Sequence, residues 1–337
     1  MIRDTTALLA VADNYRATAL NLLLSVVIVN WNTRDMLAQC LQSITADCGS
    51  QLAAPAQDAA RQPAHQPSIE VFVVDNASSD GSVLMIKERF PWVRLIENAE
   101  NLGFAQANNQ AIDLAHGKYI LLLNSDTEVH PGAFAALTDF MERSPQAGAA
   151  GAHLLNGDGT LQPACQPMLT PWREFLRLLF LDRVFHVATY GVGWWETEEP
   201  RQTEVIKGAC LMLRHTALDQ VGLLDGSYFM YTEEVDLCYR LAQAGWQLWW
   251  VPAAKVTHFG EASSRQVAQT MYVQLYRSKI QFYRKYGGQR RADLFKRLLR
   301  VAYWPRFAAA TLLAPVSPSL NSKARIYRDL LTQLPTL

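Results

Sequence analysis

Leu121-Leu-Leu-Asn-Ser-Asp-Thr127 is the stretch that decides the fold. The apolar run from Tyr119 to Leu123 predicts a strand buried on both faces, and it stops at Asn124-Ser125-Asp126. A carboxylate at the end of a central strand sits where open α/β sheets bind ligands. Asp126 is there placed to hold a hard divalent cation against a phosphate, because such ions take oxygen ligands and leave positions open for substrate. An Asp at a strand end also serves as a turn residue or helix cap, so the triplet needs support from the rest of the chain.

The flanking sequence supplies it. Leu22 to Asn30 (LLLSVVIVN) is β-branched and apolar and predicts a buried strand, with a helix over Thr33 to Thr45. Strands follow at Ile69 to Val74 and Val93 to Glu97, and helices at Ser82 to Phe90 and Phe104 to Ala115. Strand and helix alternate through residue 142, the pattern of a parallel sheet with right-handed crossovers. The strands end in Asn30, Asp75, Asn98 and Asn124, and in a parallel sheet those ends share one crevice. Farther on, Gly208 to Leu213 and Leu248 to Val251 predict strands. Glu233 to Ala244 predicts a helix stopped by Gly245, and Val267 to Tyr286 a long aromatic-rich helix.

The chain has 337 residues, half of them apolar, which suits one large α/β domain with appendages. Zero formal net charge gives no nucleic-acid footprint. The five cysteines form no C-x2-C pair, which argues against a zinc site or disulfide framework and suits a reducing cytoplasm. Asp4, Asp13, Asn14 and Arg16 interrupt the apolar pieces at the N-terminus, so no signal peptide is expected. The longest apolar run, Phe307 to Leu320, is too short to span a bilayer and contains Pro315 and Pro318. The expected organisation is an extension over 1–21, a nucleotide-binding domain over 22–262 and a helical region over 263–337. Within the domain, the Ala-, Gln- and Pro-rich 48–67 reads as a disordered surface insert, and the irregular 156–207 is expected to shape the acceptor side although it carries no readable motif.

Four further motifs point at the same crevice. In Val74-Asp-Asn-Ala-Ser-Ser-Asp-Gly-Ser82, Asp75 ends a strand and is placed to accept hydrogen bonds from a base or ribose, with Asn76 shaping the pocket. The alternative is an ordinary strand–turn–helix capped by Ser79 or Asp80. The turn is not G-x-G-x-x-G, which disfavours a dinucleotide site. In Asn98-Ala-Glu-Asn-Leu-Gly-Phe-Ala-Gln-Ala-Asn-Asn109, Gly103 allows close backbone approach, the next helix start favours a diphosphate, and Asn108 faces the crevice; a plain helix start after a glycine turn is the alternative. In Tyr228-Phe-Met-Tyr-Thr-Glu-Glu-Val-Asp-Leu-Cys-Tyr-Arg240, Glu233, Glu234 and Asp236 crowd one helical turn. They either complement the macrodipole or, by mutual repulsion, raise one carboxyl toward the pKa of a general base. His258 is either structural or, if brought near Asp126, a metal ligand.

In this order VVIVNWN (26–32), VDNASSDGS (74–82), NLGFAQANN (101–109), LNSDT (123–127) and the run 207–246 resemble family 2 glycosyltransferases with the GT-A fold. The likeness covers roughly residues 22–260 and is greatest to bacterial rhamnosyltransferases and related cell-surface polysaccharide enzymes. It implies a mostly parallel Rossmann-like sheet flanked by helices, with a C-terminal helical extension. It implies that Asn30 and Asp75 hold the nucleotide, that Gly103 and Asn108 line the diphosphate, and that Asn124 and Ser125 flank the donor. It makes Asp126 the acid of an Asp-x-Asp motif binding Mg2+ or Mn2+, with His258 completing the metal shell and Glu234 the catalytic base. Two departures stand out: Asn124 replaces the first Asp of that motif, and Glu234 replaces the usual Asp.

The expected activity is inverting transfer of a sugar, rhamnose by the subgroup, from a dTDP- or UDP-sugar to a hydroxyl of a saccharide or lipid-linked acceptor. The alternatives are a nucleotide-sugar-binding relative impaired in catalysis, which Asn124 suggests, and a nucleotidyltransferase, which would want a glycine-rich phosphate loop that VNWNTRD lacks. Arg284 to Arg306 carries eight Lys/Arg against Asp293, interleaved with Leu294, Phe295, Leu298, Leu299, Val301, Ala302, Tyr303 and Trp304. This predicts an amphipathic helix on the anionic inner face of the cytoplasmic membrane, or else a core-packed helix with a solvated basic face.

Overall fold

The computed structural model describes residues 22–52, 68–182, 187–260, 268–314 and 318–337. The N-terminal extension over 1–21 lies outside them, as does most of the 48–67 insert. Its first residues are ordered: the helix ends at Cys48, Gly49–Gln51 form a 3-10 turn, and Leu52 bridges Ile69 in parallel.

The first half follows the expected alternation. It runs β1 (Leu22–Asn30), α1 (Arg34–Cys48), β2 (Ser68–Asp75), α2 (Ser82–Arg89), β3 (Arg94–Glu97), α3 (Phe104–Ile112), β4 (Tyr119–Asn124), β5 (Thr127–Val129) and α4 (Ala133–Arg143). β6 (Ala147–Leu155) follows, and then short pieces: β7 (Leu161–Gln162), β8 (Cys165–Gln166), α5 (Pro171–Leu178), α6 (Val192–Trp195), β9 (Arg201–Gln202) and β10 (Val205–Ile206). The chain closes with β11 (Cys210–Arg214), α7 (His215–Val221), α8 (Glu233–Gln243), β12 (Gln247–His258), α9 (Ala268–Leu313) and α10 (Pro318–Gln333).

The described strands build a ten-stranded sheet with the main order β3-β2-β1-β4-β11-β6-β12-β5. β3, β2, β1 and β4 are mutually parallel, β11 inserts antiparallel between β4 and β6, and β12 returns parallel to β6. The sheet is therefore mixed: of the eight strands on the main path six run one way, and β11 and β5 run the other. β4 is buried throughout its apolar length because helices cover both faces. α1 turns Leu37, Cys40, Leu41 and Ile44 inward at helical spacing. Burying each such Leu or Ile is worth about 1.5–3 kcal/mol.

Three elements differ from expectation. β6 (AGAAGAHLL) was not predicted, because Ala and Gly carry little strand propensity. Their small size instead lets Ile206 pack directly on Gly151. β12 spans twelve residues rather than Leu248 to Val251 alone; a register shift between Val251 and Lys255 accommodates Pro252. α9 does not end at Tyr286 but continues to Leu313 across a kink at Gly288, whose φ of 68° suits glycine. Among the described residues no helix is long and apolar enough to cross a membrane.

Candidate active site

The ends of β1, β2, β3 and β4 form one hydrogen-bonded rim. Asn30 and Asp75 are register partners on adjacent strands, and Asn30 Nδ2 donates to Asp75 Oδ1 at 2.9 Å and to Ser78 Oγ at 3.1 Å. The other Asp75 oxygen accepts from the Ser78 N–H at 2.8 Å. Thr33 Oγ1 donates to Asn30 Oδ1 at 2.7 Å and lies 2.9 Å from Ser125 Oγ, which joins the first strand end to the fourth. Asn76 Nδ2 donates to the Gly103 carbonyl, and Asn98 Nδ2 donates to Asn76 Oδ1. Thr33 and Ser78 were not singled out from sequence. Both lie one turn beyond a strand end, where a short hydroxyl reaches back to the rim.

Gly103 is needed in its place. Its φ of 81° and ψ of 177° lie in a region open essentially to glycine, and a Cβ there would run into the Phe229 carbonyl oxygen. That carbonyl accepts the Phe104 N–H at 2.7 Å and closes the loop before α8 over the start of α3. Asn108 does not present a free amide to the crevice, as its helical position suggested. Its Nδ2 donates to Phe104 O one turn back, while Oδ1 is buried without a partner. The helix interior offered Asn108 a carbonyl at i−4, and the side chain took it.

Asp126 is 7% exposed, and its Oδ1 lies 3.3 Å from His258 Nε2. The antiparallel pairing of β5 with β12 sets His258 opposite Thr127, and the Phe259 N–H donates to Asp126 O. Asn124 Nδ2 lies 3.1 Å from the same His258 nitrogen. His258 Nδ1 lies 2.7 Å from Gln162 Oε1, an oxygen that can only accept, so Nδ1 donates there and the ring is held with Nε2 toward Asp126. The carboxylate oxygen suits Mn2+ or Mg2+, and the imidazole nitrogen beside it fits the softer Mn2+ better than Mg2+. Among the described residues no third His, Cys, Asp or Glu joins them, so a bound cation would take its other ligands from substrate and water. Gln162 comes from the irregular segment, and nothing in its sequence neighbourhood marked it.

Glu234 reaches this place from the other side of the chain. The Asn124 N–H donates to Ala209 O where β4 meets β11, and a Cβ on the adjoining Gly208 would lie 3.9 Å from Glu234 Cβ and 3.6 Å from the Phe104 ring. Asp126, His258 and Asn124 thus meet at the end of β4, and Glu234 packs beside Gly208, just before the start of the neighbouring β11. Burial raises the pKa of Glu233 well above the usual carboxyl range, and the Glu234 charge adds to it. Burial also raises Glu234, against a lowering contribution from Lys207, whose own pKa burial pushes down. Oε2 of both glutamates is buried and without a partner. The pair therefore titrates as a unit.

Asp236 does not belong with them. It is fully buried, its Oδ2 takes Arg240 Nε at 2.8 Å, and its Oδ1 takes Lys285 Nζ at 2.7 Å and the Tyr286 hydroxyl at 2.9 Å. With every oxygen held by cations and a phenol it is an anchor, not a base. The helical period explains this: Asp236 sits two residues past Glu234 and so faces away from it, toward α9.

Backbone strain marks the same loops. Of the described non-glycine residues with positive φ, Asn32, Ala77, Tyr231 and Thr232 all lie in loops at the strand ends or immediately before Glu233. Each costs about 1–3 kcal/mol, and such strain concentrates where function fixes a loop's shape.

The sequence profile of glycosyl transferase family 2 matches residues 25–194, and that of glycosyl transferase family group 2 matches residues 119–332. The chain belongs to glycosyl transferase family 2. This family 2 protein is 33% identical over 213 residues to the N-acetylglucosaminyl-diphospho-decaprenol L-rhamnosyltransferase of Mycobacterium tuberculosis, an alignment covering 56% of this chain and 66% of that protein. The chain thus spans just under two thirds of that relative's length. Rhamnosyltransferase WbbL of Escherichia coli is 38% identical over 86 residues, 23% of this chain and 33% of its own. The crystal structure of GalNAc-T7 with UDP, GalNAc and Mn2+ matches with a TM-score of 0.51 at 18% identity, over 78% of this chain and 50% of that one, and shares the fold.

Proposed function

We propose that this family 2 protein transfers a sugar, rhamnose by analogy with its bacterial relatives, from a dTDP- or UDP-sugar to a saccharide or lipid-linked acceptor, with inversion. The observation that supports the reading is the Asp126–His258 pair at the end of β4, with Glu234 packed beside Gly208 next to the strand β11 that pairs with β4. A lipid-diphosphate acceptor is suggested by the name of the M. tuberculosis relative, and cell-surface polysaccharide synthesis by the O-antigen biosynthesis protein RfbC of Myxococcus xanthus, 27% identical over 205 residues. The reading places the protein at the inner side of the cytoplasmic membrane.

On this reading the rim of Asn30, Asp75, Asn76 and Ser125 holds the nucleotide, and Gly103 lets the backbone approach the diphosphate. Asp126 and His258 would hold Mn2+ or Mg2+. That ion, when bound, neutralises charge on the departing diphosphate. Burial raises both carboxyls, Glu233 the more, and the nearby Lys207 ammonium favours the ionised form at Glu234, which suits Glu234 to the role of base. Glu234 takes the proton of the acceptor hydroxyl as that oxygen bonds the anomeric carbon and the bond to the diphosphate breaks. The leaving group needs no proton, so one base suffices, whereas a glycosidase needs two opposed carboxyls.

A second reading keeps nucleotide-sugar binding without transfer. Asn124 favours it, since an amide stands where a second acid would strengthen the cation site. A thermal-shift screen of UDP-, dTDP- and GDP-sugars with and without Mn2+ identifies the donor. Release of free nucleotide from that donor on adding Mn2+ supports the enzyme; donor binding with no turnover supports the second reading.

A further inference from the structure

The C-terminal basic segment divides between the two sequence readings. Phe295, Leu299, Ala302 and Tyr303 of α9 are buried, with the Phe295 ring 4.7 Å from Tyr283 and Tyr303 5.3 Å from Tyr327 of α10. That half packs on the protein. Leu294, Val301 and Trp304 do not: they are 48%, 61% and 63% exposed. Arg290, Leu294, Arg297, Val301 and Trp304 recur at spacings of four, three, four and three, one continuous outer stripe of the helix. Arg300 borders it, and Leu312 and Leu313 are exposed beyond it. Among the described residues, Arg290, Arg297 and Arg300 have no acidic partner. The one acid of the segment, Asp293, accepts from Gln289.

We infer that this outer stripe of α9 docks on an anionic lipid bilayer. Large apolar side chains held out on a folded helix mark an interaction surface. Arginines among them, with Trp at the edge, match the headgroup boundary of an anionic membrane, where the indole sits between apolar and wet layers and the guanidinium groups meet phosphate. A second copy is the weaker match, because the stripe carries unpaired arginines and no acid to receive them. The docked helix also reaches the candidate site. Before the Gly288 kink, Lys285 and Tyr286 grip Asp236, two residues beyond Glu234. On the proposed function, docking through α9, which is tied to α8 at Asp236, would set the protein beside the membrane where a lipid-linked sugar is met.

The test is co-sedimentation of the full chain with phosphatidylcholine vesicles, with and without phosphatidylglycerol, over a range of salt. The expected result is binding only with phosphatidylglycerol, weakening as salt rises. Arg297→Gln with Arg300→Gln lowers the partition coefficient about fivefold per charge. Val301→Ser with Trp304→Ser lowers it at every salt concentration. Both variants keep the circular dichroism melting curve and donor-nucleotide binding of the parent, which separates failure of docking from failure of the glycosyl-transfer reading. Absence of binding to anionic vesicles, or binding that neither variant changes, overturns the proposal. So does a dimer in sedimentation equilibrium that Val301→Ser with Trp304→Ser converts to monomer.

Discussion

Lys285 Nζ lies 2.7 Å from Asp236 Oδ1 and 2.7 Å from Asp225 Oδ2, so one cation of α9 ties the first turn of α8 to the loop that leads into it. Gln281 Nε2 donates to Ser227 Oγ and Ser278 Oγ to Met230 O along the same contact. The C-terminal helix thereby braces α8 and the loop before it from the side away from Glu234. Asp236→Ala should cost about 2–3 kcal/mol, because Arg240 and Lys285 lose a charged partner but keep some access to water. Urea denaturation measures this, and an unchanged midpoint would contradict the anchoring role.

Glu234→Gln should retain donor binding and lose about 10²–10⁴-fold in turnover, the usual contribution of a general base. Steady-state transfer assays beside donor titrations separate the two. Near-normal turnover would move the base elsewhere. In the parent enzyme the acid limb of the rate profile should lie above the ordinary carboxyl range, since burial raises this pair.

Glu233→Gln tests the same burial through stability. A carboxyl whose folded pKa is raised favours folding fully below its unfolded pKa, and that contribution is lost as pH rises through the folded value. The amide does not ionise. The variant should therefore gain on the parent in thermal melts above about pH 4.5 and show no gain below it. A constant difference across pH would mean that Glu233 is not held protonated.

Asp126→Ala should abolish the Mn2+-dependent part of nucleotide-diphosphate binding in calorimetry. Gln162→Leu removes the acceptor that orients His258, and such partners are typically worth about 10–100-fold in metal affinity. Its effect should appear in Mn2+ titration monitored by electron paramagnetic resonance, independent of turnover. Equal Mn2+ affinity in parent and Gln162→Leu would show that His258 does not need the hydrogen bond.

Gly103→Ala should destabilise the protein by more than the roughly 1–3 kcal/mol of its backbone strain, because the new methyl also meets Phe229 O. Thermal melts report the loss. A variant as stable as the parent would mean that the loop before α8 shifts freely.

The chain's own sequence determined the alternation of strands and helices through α4. It also determined which residues stand at the strand ends, because period-two and period-3.6 burial are local properties. Tyr119–Asn124 could hardly be anything but a central strand once flanked by Leu22–Asn30 and Ile69–Val74. Tertiary structure alone decided the partners. Gln162 meets His258 across 96 positions, and Lys285 meets Asp236 across 49. No local pattern encodes such distances; they follow from how β12 lies against β5 and β6 and how α9 folds back over α8. Asn108 and Asp236 show the same limit. Each has the residue type a site wants, but the Asn108 amide N–H and the Asp236 carboxylate went to the partners that packing put beside them.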